Sequence, residues 1–165
     1  MKKFILASLG ILATATPAFA GSGNQSTATG TATATIVAPI VLTHPASASL
    51  NFGRFTTGTG GTVTVTAAGT GSVGSDVTFV PGSTNSADSF TVAGDSSRSF
   101  SITTTGGNVT SGSTNLAFTT TPSAATGTLS STGTASFTVG GTLTVTGTAP
   151  AGSYTGTYSA TVTYN

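Results

Sequence analysis

The sequence predicts an all-β protein, folded as a two-sheet β-sandwich, and three observations carry this prediction. Long stretches alternate between threonine and small or apolar residues, which is the period of a strand with one buried face. The chain holds 39 Thr, 22 Ser and 23 Gly, about half of its 165 residues, and the branched Cβ of threonine suits a pleated sheet. About nine or ten short segments of this kind are separated by Gly, Asn or Ser turns, as in a sandwich.

Disordered or glycosylated stalks are the alternative that so polar a composition raises. Here hydrophobic residues make up 36% of the chain and charged residues only 4%. Disordered chains usually carry many charges and few β-branched residues. We therefore expect a folded β domain.

The first twenty residues have the pattern of a cleavable signal peptide. A positive start, Met1 to Lys3, precedes an apolar run from Phe4 to Ala13, and Ala18-Phe19-Ala20 is a small-x-small cleavage site. The apolar run is about ten residues long, whereas a spanning helix needs about twenty. We expect residues 1–20 to be removed and the mature chain, from Gly21, to be exported.

Residues 21–35 are predicted to form an N-terminal arm ahead of a sandwich domain at residues 36–165. In the arm, small residues share one parity and threonines share the other, which predicts a strand with a small apolar face. The residues of that face are Ala28, Gly30, Ala32, Ala34 and Ile36. The stretch 36–42 is predicted to be a more buried strand, in which Pro39 suggests an edge or a bulge.

Within the domain, the sequence predicts a hairpin around Gly140-Gly141, because a two-residue Gly-Gly loop suits a type I′ turn. Its strands would be residues 135–139 and 142–146. The core should depend on aromatic residues, which bury the most area each. These are Phe52, Phe55, Phe79, Phe90, Phe100, Phe118, Phe137 and the three tyrosines.

The C-terminal residues 154–165 form the most regular alternation in the chain. Threonine and serine occupy one face, and the other face carries Tyr154, Gly156, Tyr158, Ala160, Val162 and Tyr164. Both ends of the mature chain are therefore predicted strands. A strand that is unpaired in its own domain exposes N–H and C=O groups that another chain can complete. The arm is a candidate donor strand of this kind, and the alternative is that it is simply the first strand of a complete sandwich.

Enzymatic chemistry has few candidate residues in the mature chain. It contains one His, three Asp, no Cys, no Lys and no Glu, and it has no G-x-S-x-G motif. His44 precedes a proline in a loop-like stretch, where a solvated or capping role is expected. Asp76 is expected in a turn and Asp95 in a surface pair with Arg98. We expect no catalytic site, no metal site and no cofactor, and the lack of a basic patch argues against nucleic acid.

The C-terminal stretch resembles the terminal strand of chaperone–usher pilins, which carry a penultimate aromatic residue and a glycine fourteen positions from the end. Tyr164 and Gly152 occupy those positions, and Tyr154, Tyr158, Ala160 and Val162 lie in the alternating stretch between them. In that family the strand borders an open groove and is held by a periplasmic chaperone. The resemblance implies that residues 152–164 border such a groove here. The pilins often contain a disulfide, and this chain has no cysteine.

Most of residues 21–165 also resemble a family of bacterial secreted proteins, domain of unknown function 4402. The resembling parts are the alternating start, the LNFG at residues 50–53, the GGTLTVT at residues 140–146 and the closing GSYTGTYSATVTYN. This resemblance implies an immunoglobulin-like or pilin-like sandwich. It implies neither a reaction nor a ligand.

Two functions remain open from the sequence. The first is a structural subunit of a bacterial surface filament or coat, which passes through the periplasm and assembles with itself or related subunits, with a chaperone and an usher as further partners. The second is a self-complete secreted binding module for carbohydrate or a host surface. No membrane span is expected in the mature chain.

Overall fold

The structure is a computed structural model that describes residues 23–165. The predicted signal peptide, residues 1–20, lies outside the described residues. The chain divides into two units at the boundary between Thr35 and Ile36. In the described part of the first unit, residues 23–35, no helix or strand is formed and every residue is exposed. No helix long and apolar enough to cross a membrane occurs between Gly23 and Asn165.

The second unit is all-β, as the alternation predicts. Its strands are antiparallel wherever they pair. In chain order they are β1 (Val41–Thr43), β2 (Phe55–Thr56), β3 (Gly60–Val65), β4 (Gly71–Ser75), β5 (Thr78–Phe79), β6 (Asp88–Ala93), β7 (Ser99–Thr104), β8 (Gly107–Ser111), β9 (Thr114–Pro122), β10 (Thr126–Thr128), β11 (Thr134–Thr146), β12 (Thr155–Gly156) and β13 (Ala160–Tyr164).

These strands form one large sheet, one small sheet and a short ribbon. The large sheet has eight strands, ordered β1-β6-β11-β9-β8-β12, and β3 pairs with both β11 and β4. The small sheet has the order β10-β7-β13, and the ribbon joins β2 to β5. The C-terminal strand β13 is therefore an edge of the small sheet.

Two buried clusters form the core. One packs β7 of the small sheet onto β6 and β11 of the large sheet, which makes the sandwich. The other lies between β3, β9, β11 and the loop that carries Phe52. The aromatic residues predicted for the core are buried at Phe52, Phe90, Phe100, Phe118 and Phe137. Phe55, Phe79 and the three tyrosines are half-buried around them.

The predicted Gly-Gly hairpin is wrong, because residues 134–146 form the single continuous strand β11. Gly140 and Gly141 are buried in the middle of this strand. On one edge, β11 pairs with β6 up to Val139 and with β3 from Gly141 onwards. A Cβ on Gly140 would lie within 2.6 Å of the Ala67 amide nitrogen. Glycine is required here by a close backbone approach where the partner strand changes, rather than by a turn.

The predicted strands at the start of the chain are also corrected. Residues 27–35 are not in a strand, and of the stretch 36–42 only Val41 and Leu42 belong to one. Ile36 is 97% exposed, so this stretch is not the buried strand that its composition predicts. Ile36 and Val37 do not pack against either core cluster of the described residues. Ile40 is the first residue of this stretch that does.

The C-terminal alternation is confirmed in burial except at Gly156, and the segment is not one continuous strand. Tyr154, Tyr158, Ala160, Val162 and Tyr164 are half-buried, whereas Gly156, predicted for the same face, is exposed like the threonines and the serine of the other face. The backbone leaves the large sheet after β12, which pairs with β8, and joins the small sheet at β13, which pairs with β7. The terminal segment thus crosses from one sheet to the other at residues 157–159.

Candidate functional site

An open groove of about 1130 Å³ runs along the sandwich domain. Two chain segments form its walls. The first wall is residues 49–57, and the second wall is residues 149–158, which lead into β13. Each wall is a single chain segment with little strand pairing of its own, and the groove lies between the two segments.

The floor of the groove is the hydrophobic core itself. Leu116, Phe118 and Leu143, all buried members of the first core cluster, line it together with half-buried Val109. Phe52 from the first wall is packed against Phe118, with ring centroids 6.0 Å apart. A core that reaches an open groove offers apolar area for another side chain to cover.

Unpaired strand edges border the same region. Within the described part of the chain, β12 pairs only with β8, and β13 pairs only with β7. Asn165 donates its amide to the Ser99 carbonyl on β7. Since amides alternate in direction along an antiparallel strand, those of Ala160, Val162 and Tyr164 point to the open edge. This edge presents free donors and acceptors to an additional strand.

A buried carboxylate closes one end of the groove. Asp88, the first residue of β6, is only 3% exposed. Its Oδ1 accepts from the Ser89 amide at 2.8 Å and lies 2.7 Å from Nε2 of His44. Its Oδ2 accepts from the Tyr158 hydroxyl at 2.8 Å. A buried carboxylate needs such partners to offset its desolvation.

Tyr158 connects this polar end to both core clusters. Its ring lies edge-on to Phe90 and to Phe118, with each pair of centroids 6.2 Å apart. Burial raises the pKa of the Tyr158 hydroxyl above its ordinary value, and the hydrogen bond to the Asp88 carboxylate and its negative charge raise that pKa further. The phenol is therefore a hydrogen-bond donor at neutral pH rather than an acid or a nucleophile.

The residues predicted to border a groove fall into two groups. Gly152, Tyr154 and Tyr158 line the open groove. Ala160, Val162 and Tyr164 lie beyond it in β13 and pack against the second core cluster. Tyr164 also donates its hydroxyl to the Ala38 carbonyl at 3.0 Å and accepts from the Asp95 amide at 2.7 Å.

The residues predicted to form a donor strand are all solvent-accessible. Ala28, Gly30, Ala32 and Ala34 belong to the first unit and are exposed outside any strand. Ile36 is the first residue of the second unit and is almost fully exposed.

Sequence reasoning missed the Asp88 cluster and the first wall. His44 is exposed, as expected of a solvated residue, and its ring also lies 2.7 Å from a buried carboxylate 44 positions away. The one local signal is that Asp88 begins an apolar alternating strand, where a buried charge is uncommon. The expected pair of Asp95 with Arg98 is confirmed at 3.0 Å, and Asp76 lies in a turn as expected.

The groove offers groups that can bind a ligand. No group of three or more His, Cys, Asp or Glu side chains arranged to hold a metal occurs within residues 23–165. Both Asp88 oxygens are engaged in hydrogen bonds, and the groove walls offer hydroxyls, backbone groups and aromatic faces. The arrangement can accept a chain segment or a small ligand by apolar contact and backbone hydrogen bonds.

Fold and groove together define a class of protein: an antiparallel β-sandwich with an open groove and a terminal strand that has one unpaired edge. A comparison with protein families matches residues 42–164 to DUF4402, a domain of unknown function. The chain belongs to this family. Searches of curated proteins and of solved structures return no match.

Proposed function

We propose that this protein is an exported structural subunit of a bacterial surface filament or coat, and that it assembles by strand complementation. Residues 28–36 of one copy act as the donor strand for the groove of the next copy. The observation that carries the proposal is the open groove, whose floor is the hydrophobic core and whose border includes an unpaired strand edge.

The groove and the arm are complementary in chemistry. A donor strand supplies main-chain hydrogen bonds to an edge and alternate side chains to a floor. The arm carries small apolar residues on one parity and threonines on the other, so one face can be dry while the other meets water. Nine residues in strand conformation span roughly 30 Å, enough to lie along the terminal segment.

Ile36 is the largest apolar side chain on the inward parity of the arm. Its near-complete exposure leaves that side chain without cover in the single copy. Covering apolar area contributes about 25 cal/mol per Å². Ile36 therefore supplies more apolar contact than any of the alanines on the same face.

A pair of charge substitutions of opposite parity tests this proposal. Ala32→Asp places a carboxylate on the face that would enter the groove, whereas Thr31→Asp places it on the outer face. We expect gel filtration and electron microscopy to show assembly of the mature chain and of Thr31→Asp, and loss of assembly in Ala32→Asp. A mature chain that stays monomeric at all concentrations, or equal behaviour of the two variants, would count against strand complementation.

Export to the cell surface through the periplasm, with a chaperone and an usher as further partners, belongs to the same proposal. A periplasmic chaperone would cover the groove before assembly. Purification of the mature chain from the periplasm tests this partner. The chaperone should co-purify with the wild-type chain, and a peptide of residues 28–36 should displace it.

A second candidate function is recognition of carbohydrate or a host surface by the same groove. The observation that favours it is that half-buried Tyr154 and exposed Arg54 line opposite walls of the groove. A glycan array with the mature chain discriminates the two functions, because binding that Tyr154→Ala abolishes would support recognition. An array without signal would leave assembly as the function of the groove.

A further inference from the structure

We infer that Asp88 is the positioning residue of the open groove, through a carboxylate that holds Tyr158, the last residue of the second wall. The inference rests on the proposed function in that it assigns the residue that orders this wall. Asp88 lies in the large sheet; its Oδ2 binds Tyr158, and its Oδ1 binds His44, which lines the groove ahead of the first wall.

The two residues that bind Asp88 lie next to paired strands rather than in them. His44 directly follows β1, and residues 44–50 contain no strand. Tyr158 ends the second wall in the stretch 157–159, between β12 and β13, where the Ser159 carbonyl accepts the Thr105 amide at 3.0 Å. The hydroxyl of Tyr158 adds a bond to the large sheet at the end of this wall.

A carboxylate suits this task because it only accepts hydrogen bonds and can serve several donors at once. The donors reach it from two directions, with heavy-atom distances of 2.7 Å to His44 and 2.8 Å to Tyr158. Hydrogen bonds to a charged acceptor are about twice as strong as neutral ones. The Ser89 amide fixes Oδ1 from the adjacent backbone, so the carboxylate itself is held in place.

The end of the second wall is therefore ordered before an incoming strand arrives. A site that is already ordered loses less conformational entropy on binding. Without the bond from Tyr158 to Asp88, part of the binding free energy must order this end of the wall. Asp88 thus affects the affinity for a donor strand without touching the bulk of that strand.

Two hydroxyls provide a matched pair of variants. Tyr158→Phe removes only the hydroxyl that binds Asp88. Thr64→Val removes a half-buried hydroxyl that bonds to the Thr142 hydroxyl at 3.0 Å, between β3 and β11 and outside the groove lining. Both variants are made in residues 36–165, a compact unit with its own core. A synthetic peptide of residues 27–37 is the probe.

We expect Tyr158→Phe to weaken peptide binding about tenfold or more and to speed amide exchange at residues 155–159 by a similar factor, as the loss of a hydrogen bond to a charge predicts. Thr64→Val should change both by less than about threefold, because its partner is a neutral hydroxyl away from the groove. Asp88→Asn, which keeps one acceptor oxygen, should fall between wild type and Tyr158→Phe.

The inference is overturned if Tyr158→Phe lowers the melting temperature but leaves peptide affinity and local exchange at wild-type values. It is also overturned if Tyr158→Phe and Thr64→Val behave alike. Failure of the peptide to bind wild type would refute strand complementation instead, and the exchange rates of the two variants would then still decide whether Asp88 orders the second wall.

Discussion

At the scale of single residues, the surroundings of the Tyr158 phenol raise its pKa. The phenol is held between two core clusters and donates to a buried carboxylate. Burial first, and the hydrogen bond and charge of Asp88 after it, raise the pKa of Tyr158 in the folded chain. In the unfolded chain the same group titrates near its ordinary value of about 10.

This difference predicts a loss of stability in alkali. Above about pH 10 the unfolded chain releases the tyrosine proton while the folded chain retains it, so rising pH favours unfolding. The stabilisation is complete below that pH and is lost progressively above it. We expect the melting temperature of the mature chain to fall between about pH 9.5 and 11.5, and to fall less in Tyr158→Phe. Parallel curves for the two proteins would show that Tyr158 is not the responsible group.

At the scale of elements, β11 organises the large sheet. It pairs with β6, β9 and β3, and it supplies Phe137 and Val139 to one core cluster and Leu143 and Val145 to the other. Its two central glycines let neighbouring backbones approach where the partner strand changes. A side chain at this point would have to displace backbone, which a strand interior resists.

Substitution of Gly140 by alanine should therefore destabilise the domain by about 1–3 kcal/mol, the range for overpacking a filled interior. Gly30→Ala is the control, because nothing lies within 4 Å of a Cβ at that position. Thermal or urea unfolding of the two variants measures the effect. An unchanged midpoint in Gly140→Ala would mean that the close approach at β11 is not a constraint on the fold.

Elements also show what sequence alone can predict. The alternation at residues 154–164 predicts the correct buried face, because period two follows directly from strand geometry. It does not reveal the crossing between sheets, since both halves of the segment keep the same parity. For Gly140-Gly141, a tight turn and a close approach call for the same residue, and only the partner strands distinguish them.

The candidate site was predictable only on one side. Gly152, Tyr154 and Tyr158 belong to a regular pattern that marks the second wall. The first wall and Asp88 come from distant parts of the chain, with Tyr158 70 positions away from the carboxylate it binds. No local period links such residues, so their meeting follows from the topology of the sheets.

At the scale of the whole molecule, the sandwich has strand edges without a partner, and the arm has an alternating sequence without a sheet to join. The sandwich leaves edges unpaired at β12 and β13 and exposes its core in the groove between the two walls. The arm residues are exposed and alternate in the way a strand requires. Each of the two would gain hydrogen bonds and apolar contact from the corresponding part of another copy.

Amide hydrogen exchange at residues 152–158 tests this central claim most directly, because these residues belong to the wall that a donor strand in the groove would cover. We compare the mature chain, the same chain without residues 21–35, and the shortened chain after addition of the peptide of residues 27–37. The account predicts slow exchange in the mature chain, fast exchange after the deletion and slow exchange again with the peptide. Equal exchange rates in all three samples would contradict it.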